Sequence, residues 1–86
     1  MIIHVNVPDY TPATGLKNNW ESGFEISVKK QIDAICISAN RAGLMSLANF
    51  FLTLAQENVP PGCHMHLDEY GGLEEGSIEL IIVKVP

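Results

Sequence analysis

The segment SANRAGLMSLANFFLTLAQE, residues 38–57, organises the reading of the whole chain. Leu44, Leu47, Ala48, Phe51, Leu54 and Ala55 recur at the i, i+3, i+4, i+7 spacing of one helix stripe, with Ser46, Asn49, Thr53 and Gln56 opposite. Ser38 or Asn40 can accept from the orphan amides of the first turn, and Asn58 followed by Pro60-Pro61-Gly62 stops the helix. Met45, Phe50 and Leu52 lie beside the main stripe, so the apolar sector is wider than one sheet face requires. On this reading Phe50 is expected on the exposed side.

Strand patterns flank the helix on both sides. Towards the N-terminus, Phe24, Ile26 and Val28 alternate with polar residues, and Ile32, Ala34 and Cys36 resume the alternation after Lys29-Lys30-Gln31. A three-residue turn there sets Val28 opposite Ile32, Ile26 opposite Ala34 and Phe24 opposite Cys36, with Cys36 in the core. Ile35 and Ile37 make the second of these strands apolar on both faces. Before them, Ile2–Val7 shows the period of two expected of a strand, and residues 8–19 hold the turn formers of a long surface loop. After the helix, Cys63, Met65 and Leu67 alternate with His64, His66 and Asp68. Residues 69–76 form a glycine-rich acidic loop, and residues 77–85 return as a strand with apolar side chains on both faces, the mark of a central strand. The expected fold is α+β, one domain over residues 1–86, with an antiparallel five-stranded sheet in the order β-β-β-α-β-β and the helix on one face.

Composition bounds the function. Of 86 residues, 47% are hydrophobic and 17% charged, as in globular chains, and no apolar run is long enough to span a bilayer. With no export signal visible, the expected location is cytoplasmic and Cys36 and Cys63 are expected to be reduced. The net charge of −5 disfavours nucleic acid and anionic membranes as partners. No Lys or Arg occurs between Arg41 and Lys84, an interval holding Glu57, Asp68, Glu69, Glu74, Glu75 and Glu79. This acidic lobe either keeps a small protein soluble or meets a basic partner.

No residue pattern assembles a convincing catalytic site, and no cofactor is implied. His64-x-His66-x-Asp68 projects three potential metal ligands from one strand face, and His4 would join them if the first strand paired nearby. A small metal-binding protein or metal-dependent enzyme is therefore the alternative reading, set against an exposed edge strand that merely carries polar groups. Cys63 and His64 are adjacent on a strand and point apart, so they do not form a nucleophile and base. The glycine-rich loop carries carboxylates where a phosphate cradle needs free amides and a lysine. Binding draws on other residues: Tyr10 and Trp20 border the first loop and Tyr70 sits in the acidic loop, aromatic anchors of the kind that dominate interfaces. Trp20 can equally plug one end of the helix–sheet layer.

Ala42-Gly43-Leu44, Leu47-Ala48, Leu52 and Leu54-Ala55, then His64-x-His66-Leu67-Asp68 and Leu73-Glu74-Glu75-Gly76-Ser77-x-Glu79-Leu80-Ile81-Ile82, resemble the immunity protein family numbered thirty-two in bacterial polymorphic toxin systems. The resemblance covers a little over half of the chain and leaves the first thirty-odd residues unmatched. It implies a cytoplasmic antidote that binds a cognate toxin without catalysis, and the acidic lobe suits a basic one. The contact surface expected from the residues is Asp68, Glu69, Tyr70, Glu74 and Glu75, joined by Tyr10 and Trp20. A homodimer through the helix-free sheet face or through Phe50 is a further expectation.

Overall fold

The computed structural model describes residues 1–86. Its elements are β1 (Ile26–Gln31), β2 (Ala34–Ala39), α1 (Arg41–Ala55), β3 (His64–Leu67) and β4 (Leu80–Val83). The class is α+β, but the five-stranded sheet is replaced by two antiparallel pairs, β1 with β2 and β3 with β4. Two local facts divide the sheet. Ile2–Val7 forms no strand, and His4 is exposed there. The free edge of β1 meets the segment before β4 only irregularly: the amides of Glu74 and Ile78 donate to the carbonyls of Ile26 and Val28, while the Val28 amide donates to the Ser77 hydroxyl. The residues from Ser77 onward thus touch β1 first and pair with β3 later, so β4 has one strand partner and the expected central strand does not form.

Asn40 sets both the start of the helix and the hairpin register. Its side-chain oxygen accepts from the Gly43 amide at 2.8 Å and from the Glu25 amide at 3.0 Å, its side-chain nitrogen donates to the Gly23 carbonyl at 2.9 Å, and its own amide donates to the Glu25 carbonyl. With Asn40 level with Glu25, Ile26 pairs with Ala39 and Val28 with Ile37, and the turn shrinks to Ile32-Asp33. The expected pairing of Val28 with Ile32 is therefore wrong by an odd number of residues, which moves Cys36 to the face opposite Val28. Cys36 is half-buried, outside the core, with its thiol 3.6 Å from the Ser38 hydroxyl. We expect Asn40→Ala to cost about 2 kcal/mol, a lost cap plus two lost ties to the hairpin. Asn40→Asp, which keeps both acceptor bonds, should recover part of that in thermal unfolding. A loss for Asn40→Ala no larger than that of an ordinary surface substitution would remove this residue as the clamp.

The helix is rotated from its expected setting. Its buried residues are Gly43, Ser46, Leu47, Asn49, Phe50, Thr53 and Leu54, so the face read as polar and outward points inward. Each buried polar group is satisfied. Ser46 donates to Ala42 and accepts from the Glu21 amide, Asn49 donates to the Asn6 carbonyl, and Thr53 donates to the Asn49 carbonyl. Gln56 and Asn58 extend the row, bonding Pro8 and Tyr10, so the N-terminal chain is strapped along this side by amide side chains rather than by strand pairing. Close approach requires Gly43, because a Cβ there would lie 2.5 Å from the Glu25 carbonyl oxygen and 2.8 Å from an Ile26 carbon. Lys84 donates its ammonium to the Gln56 carbonyl, bringing positive charge to the helix C-terminus. Phe50, expected outside, is wholly buried in the core with Ile26, Val28, Leu47, Leu54, Val59, Met65, Leu67 and Leu73.

Candidate interface

The acidic loop between β3 and β4 is ordered by its own side chains. Asp68 accepts from the Tyr70 amide at 3.0 Å through its carboxylate, and its carbonyl accepts from Gly71 and Leu73. Glu69 accepts from the Gly76 amide at 2.9 Å, closing the loop across its base. Leu73 is buried in the core and pins the middle. What remains outward is Tyr70, 92% exposed, with the carboxylates of Glu74 and Glu75. Neither glutamate has an ion-pair partner within the chain; the one such contact, His66 to Glu79 at 3.6 Å, is an ion pair only when the imidazole is protonated. Glu74 also lines a cleft with Glu25, Ser27, Ser38 and Asn40.

The loop rests on Trp20. Gly72, at φ +111°, lies so close to the indole that a Cβ there would be 2.3 Å from a ring carbon. Trp20 in turn stacks on Phe24 at 4.3 Å and meets the edge of Phe50 at 4.7 Å. Of the expected contact residues, then, Asp68, Glu69, Tyr70, Glu74 and Glu75 share one loop and half-buried Trp20 supports it from below. Tyr10 lies apart, lining a shallow cleft with Leu16, Pro61, Gly62, Cys63 and His64.

The three potential metal ligands do not converge. His64 and His66 share the outer face of β3 with ring centroids 4.8 Å apart, but the Asp68 carboxylate is spent on the loop amide of Tyr70, and His64 bonds the Gly62 carbonyl. No three His, Cys, Asp or Glu side chains gather where an ion could be held, so the His64, His66, Asp68 metal reading is set aside. Strand alternation aligned the two histidines; the turn after Leu67 carried the third residue away.

The model of the family Immunity protein 32 matches residues 34–85. The chain belongs to that family. The matched span runs from β2 through the helix and the acidic loop to the end of β4, so every outward residue of the loop lies inside it. Outside it are Tyr10, Trp20 and β1, contributed by the unmatched N-terminal third. No curated protein and no solved structure matches the chain. Membership in an immunity family implies a toxin as partner in general terms and a role that is generally not catalytic. No helix is long and apolar enough to cross a membrane.

Sequence reasoning missed one surface. Leu44, Phe51 and Leu52, assigned to the core or its margin, are 56%, 51% and 47% exposed. The available signal was the excess width of the helix's apolar sector, which one packing face cannot cover.

Proposed function

We propose that this immunity-family protein binds a cognate bacterial toxin domain in the cytoplasm and neutralises it by occupying its surface, without chemistry of its own. The contact centres on Tyr70, Glu74 and Glu75, with Asp68 and Glu69 holding the loop in its binding shape and Trp20 supporting it from beneath. Tyr10 contributes at the periphery. The observation that carries this reading is an almost fully exposed tyrosine on a loop whose backbone is already tied by Asp68, Glu69 and Leu73. An aromatic anchor on a pre-ordered loop loses little conformational freedom on binding. The unpaired carboxylates favour a toxin face rich in Lys and Arg, and long-range attraction to net charge −5 speeds the encounter.

The test uses the toxin domain encoded beside the immunity gene and calorimetry or surface-binding kinetics. Tyr70→Ala is expected to weaken the complex by about 2 kcal/mol, roughly 30-fold in Kd, mostly through faster dissociation. Glu74→Lys with Glu75→Lys should slow association and flatten its salt dependence, since the two reversals take the net charge from −5 to about −1. Unchanged affinity in both variants, with folding intact by circular dichroism, would show that the toxin is held elsewhere on the molecule.

A further inference from the structure

The outward face of α1 is apolar from end to end. Leu44, Ala48, Phe51 and Ala55 follow one another at steps of four, three and four residues, the seam spacing of a helix that packs against another helix. Leu44, Phe51 and Ala55 are exposed and Ala48 half-exposed, while Ser46, Asn49 and Thr53 occupy the inward side. Nothing in the chain covers this seam.

Its pattern specifies the occupant. When the seam is laid antiparallel on a copy of itself about its midpoint, Leu44 falls opposite Ala55 and Phe51 opposite Ala48, so each large side chain meets a small one. The alanines let the two backbones approach closely.

Charge makes the same selection. Residues 42–56 contain no ionisable side chain, and the flanking charges are Arg41 at the first helical position and Glu57 just past the end, both exposed and neither ion-paired within the chain. Arg41 is at the unfavourable end of its own helix dipole with no acidic residue in the first turn, while Glu57 lies at the other end, where the Lys84 ammonium on the Gln56 carbonyl already offsets part of the penalty. Antiparallel self-pairing brings Arg41 to the negative end of the second helix and level with its Glu57. The uncompensated Arg41 of each copy thereby gains an opposite charge in the pair.

We infer that two copies of this protein associate through α1, as a two-fold antiparallel helix pair with Leu44, Ala48, Phe51 and Ala55 at its centre. The seam faces away from Phe50, the residue that meets Trp20 beneath the acidic loop, so the pair leaves Tyr70, Glu74 and Glu75 uncovered. This inference does not depend on the toxin-binding reading. One helix face makes an interface at the small end of the specific range, so the pair forms in a concentration-dependent equilibrium.

Sedimentation equilibrium of the full chain, from micromolar to near-millimolar protein, tests it. The wild type should shift from monomer to dimer across that range. Phe51→Glu should weaken association by roughly a hundredfold, because the carboxylates would be buried at the seam. Arg41→Glu alone and Glu57→Arg alone should each weaken it several-fold, and the two together should restore it; both changes suit the helix dipole, so folding is safe even if Phe51→Glu perturbs it. A monomer at every concentration would overturn the inference, as would a dimer indifferent to Phe51→Glu or single reversals that the double variant fails to rescue. Toxin seated on this seam, with Phe51→Glu abolishing toxin binding from a monomeric protein, would also overturn it.

Discussion

Phe50→Ala is expected to lower the melting temperature by roughly 15–30 °C, while Phe51→Ala, one residue along, leaves it almost unchanged. The two phenylalanines differ only in which side of the helix they occupy. Phe50 has no exposed surface and supports both the strand core and the edge of Trp20. Truncating it removes a buried ring and opens a cavity, a loss of about 3–5 kcal/mol. A chain of this length has roughly 4–13 kcal/mol in total, so the change consumes much of the stability. Phe51 is half-exposed on the seam, and its truncation in dilute protein should cost no more than about 0.5 kcal/mol. Chemical denaturation of both variants decides the matter: equal losses would mean that the helix is turned the other way.

Gly72→Ala is expected to destabilise the protein by about 3 kcal/mol or more and to disturb the environment of its single tryptophan. Two penalties add. The φ of +111° is one that a residue with a Cβ adopts under strain, and the new methyl would lie 2.3, 2.7 and 2.9 Å from three carbons of the Trp20 ring. The half-buried ring is held on two sides, being stacked on Phe24 and edged against Phe50. Gly71→Ala is the control, since its φ is ordinary and its Cβ would meet only an Asp68 oxygen at 3.3 Å. Tryptophan fluorescence and melting should separate the two variants clearly. If they behave alike, the acidic loop does not rest on Trp20, and the pre-ordering behind the proposed toxin contact loses its support.

Parts of the interface were legible in the sequence because their causes are local. The run Gly71-Gly72 to Gly76 with Glu69, Glu74 and Glu75 announced an acidic loop, and that loop is present where expected. The alternation from Cys63 to Leu67 placed Met65 and Leu67 inward and His64 and His66 outward, as they are. Asp68 escaped the same logic because it leaves the strand and takes the Tyr70 amide, a turn interaction that competes with ligand geometry. Whether Trp20 anchored an interface or packed inside had no local answer: of its neighbours only Phe24 is near in sequence, while Phe50 and Gly72 come from distant parts of the chain.

The amino-acid sequence alone determined the existence of the helix, the presence of a hairpin before it and the alternating strand after it, since each depends on contacts within a few residues; it left the cap open between Ser38 and Asn40, and the helix runs from Arg41 to Ala55. Only the tertiary structure decided which side of the helix is buried, where the hairpin turns and why the N-terminal residues never become a strand. Burial of apolar surface is non-directional, so either apolar flank of this helix could have served as the core face. Buried polar groups are directional, and the Glu21 amide and the carbonyls of Asn6 and Pro8 meet Ser46, Asn49 and Gln56 across 25 to 48 residues of chain. Those distant partners turned the polar side of the helix inward and left Leu44, Phe51 and Leu52 to face outward.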